Sequence, residues 1–528
     1  MGFHVIEDPT TSQKFSFVGS FEYNEGTTVI DAPGEYDTTL PSNQQFDHHS
    51  LEQKAVVYFP AAFAGATNPS DISPAQAQYP LVVVVHGNSS NPNSYKGYNY
   101  LLEHLARNGF IAASIHIYSP NAPVWSSAGG VSRARALFKH IEILKTKFSG
   151  KIDLNNIGIM GHSRGGEAVV IASKINVDEN LGYNFKAIIS LAPTDQYGPY
   201  SLSGPYQVPY LVIYGSNDGD VAGGNKTSVS HKSTGFSLYD RADPHKSMLF
   251  VYGAIHGRFN DEWDDTDITA SWSKVHTNDL PKLISADAHR KIAKGYMNAF
   301  FQIHLYNRTE LIDYFTGELT PAEVEAADGG KVALHAQYQA PGGRMVDDFN
   351  NANWQLNDLG GTVTHNNTLP ANPQEGDIAS IDSYSPHDTN AGLVEWDATT
   401  DIYLSNIPAT QKDISSYQTL SFRITQRYGS SSNPPDAVQD LYVKLTDTTG
   451  KSRSIKVSKF TAIPYPYVRG YNHLTKSALK TVRIPLSVFQ IQVIGTDIVD
   501  LTKVQSITFE FKAKPTGEIE IDDIEFSA

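Results

Sequence analysis

Residues 79–85 are the most continuously apolar short run in the chain, with four consecutive valines at 82–85. Similar runs recur at 54–60, 110–118, 157–160, 186–192, 209–214 and 246–252. They are continuous rather than alternating, which is how strands buried on both faces read. Helical spacing lies between them. Residues 98–108 form one such stretch, closed by Gly109 as a C-cap. Residues 132–148 place Ala136, Leu137, His140, Ile141 and Leu144 on one face. A last helix is predicted at 286–306, turning Ile292, Tyr296, Ala299, Phe300 and Ile303 inward. Residues 1–50 read as an irregular lead-in with one strand near 15–23. Alternating strands and helices predict an α/β unit whose mostly parallel sheet is covered on both faces.

The pattern changes after about residue 320. Gly329, Gly330, Pro341, Gly342 and Gly343 read as a linker, and helical periodicity fades beyond them. Short alternating runs follow at 420–425, 440–446, 453–457, 481–485, 504–511 and 517–526. These predict an all-β antiparallel sandwich. The expected organisation is a catalytic domain at 1–325, a linker at 326–344 and a sandwich at 345–528.

Length supports two cores, because 528 residues exceed what one normally holds. A formal charge of −15 argues against nucleic acid and anionic membrane surfaces as partners. No apolar stretch reaches the ~20 residues that span a bilayer. The absence of cysteine excludes disulfide and thiolate chemistry. Residues 1–4 lack the basic start and apolar run of a signal peptide. The expectation is a secreted mature chain without its leader, with a cytoplasmic one as the alternative.

Chemistry centres on Gly161, His162, Ser163, Arg164 and Gly165, a G-x-S-x-G turn between an apolar strand and a helix-forming stretch. Chance yields such a pentapeptide in a chain this long with a probability on the order of 0.2, at ~7% Gly and Ser. Its placement therefore carries the argument. A nucleophile elbow is such a strand–turn–helix, lifting the serine hydroxyl above the sheet. An acid and a histidine should follow, each past a strand end. Asp218 follows the run at 209–214 by a short turn, and His256 follows the run at 246–252. Asp220 is the alternative acid. Two backbone N–H groups should complete an oxyanion hole, from Arg164 after the nucleophile and from Asn88 after the strand at 79–85. Loops at the same edge carry Trp125, Tyr197 and Phe259 as candidate substrate-binding aromatics, with Trp263 in the loop of Phe259. The acidic cluster from Asp261 to Asp267 reads as a solvated loop, so no metal site is expected there.

These strand-end motifs, over roughly residues 50–310, resemble a serine hydrolase of the α/β-hydrolase superfamily. Within it they are similar to the branch of dienelactone hydrolases, platelet-activating-factor acetylhydrolases and cutinase-like polyester hydrolases. The resemblance implies a carboxylic-ester hydrolase that needs no cofactor, with polymeric or polyester substrates in range. Cutinase-like enzymes place Met after the nucleophile and an aromatic where Asn88 stands; here Arg164 and Asn88 occupy those places. Asp347, Asp348, Phe349 and Trp354, with Asp522 and Asp523 near the end, resemble a jelly-roll carbohydrate-binding module of the galactose-binding-like type. That likeness implies a polysaccharide or polymer surface as partner and a structural calcium held by terminal aspartates. The alternative function is a glycan- or surface-binding protein whose hydrolase domain is secondary or inactive.

Overall fold

A computed structural model describes residues 7–31, 48–117, 130–195, 200–221, 235–263, 283–351, 353–366, 374–377, 387–466, 477–492 and 497–528. The chain divides into two compact units, and residues 335–528 form the bulk of the second.

The first unit holds β1 (Val18–Asp31), β2 (His48–Pro60), β3 (Tyr79–Val85), β4 (Ile111–Ile115), β5 (Ile152–His162), β6 (Phe185–Leu191), β7 (Tyr210–Gly215) and β8 (Lys246–Val251). Their lateral order is β1-β2-β4-β3-β5-β6-β7-β8. From β4 to β8 every neighbouring pair is parallel, whereas β1/β2 and β2/β4 are antiparallel. All seven residues of β3 are buried. Successive strand side chains point to opposite faces, so both faces of the sheet must be covered. The covering helices are α1 (Asn99–Arg107), α2 (Gly130–Lys147), α3 (Arg164–Asp178), α4 (Gly235–Asp240), α5 (Ala286–Ile292) and α6 (Asn298–Tyr306).

The expected single helix at 286–306 is interrupted by a π-helical turn, Ala293–Met297. That turn contains Gly295, where a Cβ would come within 2.7 Å of Thr10 Oγ1. The expected strand at 15–23 is longer and shifted, because β1 continues through a bulge beside Gly26 to pair along β2.

The second unit is all-β. The residues expected as a linker contain a short turn at Ala327–Gly329 and the strand β9 (Leu334–Gln339). The remaining strands are β10 (Arg344–Asp347), β11 (Val363–His365), β12 (Gln374–Asp377), β13 (Asn390–Trp396), β14 (Ile402–Asn406), β15 (Thr419–Gln426), β16 (Tyr442–Asp447), β17 (Ser452–Lys456), β18 (Lys480–Pro485), β19 (Val504–Glu510) and β20 (Gly517–Ser527). One antiparallel sheet runs β12-β13-β20-β15-β18 with β10 on β20; the other runs β11-β14-β19-β16-β17. A single apolar cluster joins them, including Trp396, Phe422, Ile424, Val443, Phe509 and Ile521. Trp396 stacks on Phe511 at 4.4 Å and 14°. No helix among the described residues is long and apolar enough to cross a membrane.

The aspartates expected to hold calcium have other work. Arg423 places Nη2 at 2.5 Å from Asp522 Oδ2 and Nε at 2.8 Å from Asp523 Oδ2. Asp347 and Asp348 accept the backbone N–H groups of Phe349 and Asn350. The guanidinium thus supplies the positive charge, and among the described residues no group of three or more His, Asp or Glu is arranged for a metal ion.

Trp396 anchors this core, since Gly517 leaves room for its ring and a Cβ there would sit 2.2 Å from Trp396 Cζ2. Trp396→Ala should lower the unfolding free energy of the second unit by roughly 3–5 kcal/mol. The exposed Val438, replaced by Ala, should cost under ~0.5 kcal/mol. Urea unfolding followed on the two variants checks the contrast; equal effects would contradict this account of the core.

Candidate active site

Four strands end at one edge of the first sheet: β3 at Val85, β5 at His162, β7 at Gly215 and β8 at Val251. The segment after each carries a candidate residue. Open parallel sheets collect ligands at this edge because the loops there diverge.

Ser163 joins β5 to α3 with φ 58° and ψ −125°, a backbone conformation seldom adopted by a residue with a Cβ. Its N–H donates to Leu191 O at 2.9 Å, and its own carbonyl accepts from Gly166 N and Thr194 N. The bend is possible because Gly161 and Gly165, two residues to either side, lack side chains. A Cβ on Gly161 would lie 1.9 Å from Gly165 O, and one on Gly165 would lie 2.2 Å from Val85 O.

Asp218 and His256, expected from chain order, meet. Asp218 Oδ2 accepts from His256 Nδ1 at 2.8 Å, and both side chains are buried. The other Asp218 oxygen accepts from the backbone of Asp220 and Val221. Asp220 is not simply the losing alternative: its Oδ2 lies 3.4 Å from the other ring nitrogen, Nε2. His162, adjacent to Ser163, puts its ring 4.7 Å from that of His256, so the elbow and the Asp–His pair share one locality.

Gly87 lies against the elbow, where a Cβ would fall 2.6 Å from Ser163 Cβ. The loop carrying Asn88 thus packs directly on the elbow. His86 fixes that loop: Nδ1 is 2.7 Å from Gly87 O, and Nε2 accepts from Ile117 N at 2.9 Å. Nδ1 therefore carries the proton. Burial depresses the His86 pKa to about 3, with Arg133 adding to the effect. Burial likewise holds His162 well below the ordinary histidine range, with His256 and His86 reinforcing it.

Of the three substrate-binding aromatics, Trp125 and Tyr197 lie outside the described residues. Phe259 is only 1% exposed and packs edge-on against His289 at 4.7 Å. The residue the sequence reading underused is Trp263. Its indole lies 4.6 Å from His162 and parallel to His256 at 6.0 Å and 9°. Its Nε1 donates to Ser94 Oγ at 2.8 Å. Both Asn260 and Trp263 tie their loop to the turn Ser94–Tyr98. The available signal was the Asn260-x-x-Trp263 spacing just after His256, but its partner near residue 94 is remote in sequence.

Residues 66–210 match the family model described as Chlorophyllase, a family of the α/β-hydrolase superfamily. No curated protein matches the chain. The matched stretch contains Asn88, Ser163 and Arg164 and stops before Asp218 and His256. It supports an α/β-hydrolase domain and ester hydrolysis as its chemistry. The likeness to the dienelactone, acetylhydrolase and cutinase branch is no part of this match.

Three buried histidines of the unit carry a consequence for stability. His86 and His140 are depressed to about 3 and His104 to about 4, all chiefly by burial. The folded state keeps them neutral while the unfolded chain protonates near ~6.5. Stability is therefore fully present above about 6.5 and falls as pH drops below it, by on the order of 1.4 kcal/mol per pH unit for each histidine. Urea midpoints should decline between pH 6.5 and 5, above the range where most carboxylates titrate. A flat midpoint across that window would contradict the neutral assignment.

Proposed function

We propose that the chain is a serine carboxylic-ester hydrolase with Ser163 as nucleophile, His256 as base and Asp218 as the acid that orients it. The observation that carries this reading is the buried 2.8 Å contact between His256 Nδ1 and Asp218, at the sheet edge that also holds the strained Ser163. An ionised Asp218 accepts a hydrogen bond from Nδ1–H, which keeps that proton on Nδ1 and leaves the Nε2 lone pair as the base. Nε2 takes the Ser163 proton as Oγ attacks the ester carbonyl. The backbone N–H groups of Arg164 and Asn88 receive the developing oxyanion. His256 then protonates the leaving alcohol, and water, deprotonated by the same nitrogen, releases the acid from the acyl-enzyme. No cofactor enters any of these steps.

The finer form of the proposal takes polymeric esters, polyesters included, as substrates, with the second unit engaging a polysaccharide or polymer surface. It rests on the resemblance of the strand-end motifs and of the terminal aspartate pairs. The family name makes a chlorophyll ester a further substrate to test.

Ser163→Ala should lower turnover of p-nitrophenyl esters on the order of 10⁴-fold or more. A fluorophosphonate probe should label Ser163 alone, as read by peptide mass mapping. Asp218→Asn should cost far more activity than Asp220→Asn, because only Asp218 fixes the tautomer. A panel adding polyester film, acetylated xylan and a chlorophyll ester then reads the acyl and alcohol preference. Normal turnover in Ser163→Ala, or labelling at another serine, would remove the triad assignment.

A further inference from the structure

The turn of Asp218, Gly219 and Asp220 brings two carboxylates to one imidazole. Asp218 divides its oxygens between two tasks. Oδ2 meets His256 Nδ1 at 2.8 Å, while Oδ1 accepts the N–H of Asp220 at 3.1 Å and of Val221 at 2.7 Å. Those backbone bonds curl the chain back, as Asp side chains do in tight turns. The result is that Asp220 Oδ2 stands 3.4 Å from His256 Nε2, with the Asp220 side chain 65% exposed. One acid is buried and fixed; the other is held by its backbone while its side chain reaches solvent.

We propose that Asp220 is an electrostatic brake on the histidine base, acting from the Nε2 side. This rests on the triad reading given above. A negative charge beside Nε2 favours the protonated ring, and a protonated ring cannot accept the Ser163 proton. The carboxylate must swing toward solvent before Nε2 can face the serine hydroxyl, and its exposure permits that motion. Asp220 is thus a regulator of when the base is available, not a substitute for Asp218.

Among the described residues, other groups also face the ring. Asp218 also faces His256, and its charge is common to enzyme with and without Asp220. His162 faces it from the end of β5, kept neutral by burial. Trp263 covers it with an uncharged indole. Arg258, two residues on, turns its Nη1 to Ile284 O at 2.7 Å. Asp261 is paired with Arg290. His289, behind the loop, accepts from Ile255 N with Nε2 and contacts Ser285 O with Nδ1, which fixes it as neutral.

The test is the pH profile of kcat/KM on a soluble p-nitrophenyl ester, using the full chain. In Asp220→Asn the acidic limb should move to lower pH by roughly 0.2 to 0.7 unit, the scale of a largely exposed ion pair. Relative activity below the limb should rise roughly 1.5- to 5-fold. Raising salt to about 1 M, where the Debye length is ~3 Å, should move the wild-type limb toward that of the variant and leave the variant in place. Asp220→Ala should behave like Asp220→Asn, since Asp218 holds the backbone of residue 220 and not its side chain. Asp220→Glu, which keeps the charge, should retain a salt-sensitive limb. A purely structural turn residue would change melting temperature without moving the limb. A limb that stays fixed in both neutral variants, or moves to higher pH, overturns the brake. Ser163→Ala serves as the separate control: if it keeps turnover, the triad falls, and if it is inactive while the limb stays fixed, only the role of Asp220 falls.

Discussion

The site depends on a steric constraint: around Ser163 there is no room for a Cβ on the neighbouring chain. Gly161 abuts the carbonyl of Gly165, Gly165 abuts the carbonyl of Val85, and Gly87 abuts Ser163 itself. Two segments that are distant in sequence, 85–87 and 161–165, are therefore held at backbone contact distance. That closeness starts α3 directly above β5 and holds the loop after β3 against the serine. It also sustains the positive φ of Ser163, a local strain that persists only where the surroundings over-determine it. Substitution at any of these glycines would push Ser163 away from the loop after β3.

Around that contact lies a layer of histidines with different assignments set by environment. His86 and His162 bond to backbone groups and to a tyrosine hydroxyl, and burial keeps them neutral. Desolvation penalises the charged form, so these rings serve as hydrogen-bonding struts: His86 holds Gly87 and Ile117, and His162 lies 2.9 Å from the Tyr98 hydroxyl. His256 is the ring with a carboxylate at each nitrogen. The environments of adjacent histidines thus differ without any difference in residue type.

Much of this was legible in the sequence because strand ends are legible. The four valines of β3 and the runs before Asp218 and His256 are short, apolar and bounded by turn residues, and chain order then points to the pair that meets in the fold. Features that depend on contacts across the fold were not legible. The partner of Trp263 is Ser94, and nothing near either residue announces the other. The proximity of Asp220 to Nε2 follows from a turn geometry that Asp218 imposes through its second oxygen, which a choice between two candidate acids does not capture. In the second unit, strands β9 to β14 escaped the sequence reading, β13 and β14 among them. Gly392 beside Phe349 and the polar Asn406 dilute their pattern, and their pairing with β20 and β19 is made over more than 100 residues.

The aspartate pairs of the second unit show the same limit from another side. Two adjacent carboxylates near a strand end are compatible with a cation or with a guanidinium, and the local sequence is identical in both cases. Register decides between them. β15 pairs with β20 so that Arg423 stands opposite Asp522, 99 residues away. Gln337 on β9 contributes a further oxygen at 3.0 Å to the same guanidinium. A buried arginine with this many acceptors is costly to strand, because removing either partner leaves an uncompensated charge. The pairing therefore specifies how β15 and β20 align as well as neutralising them, and an ion taken up from solvent would have to displace a side chain covalently fixed in that register.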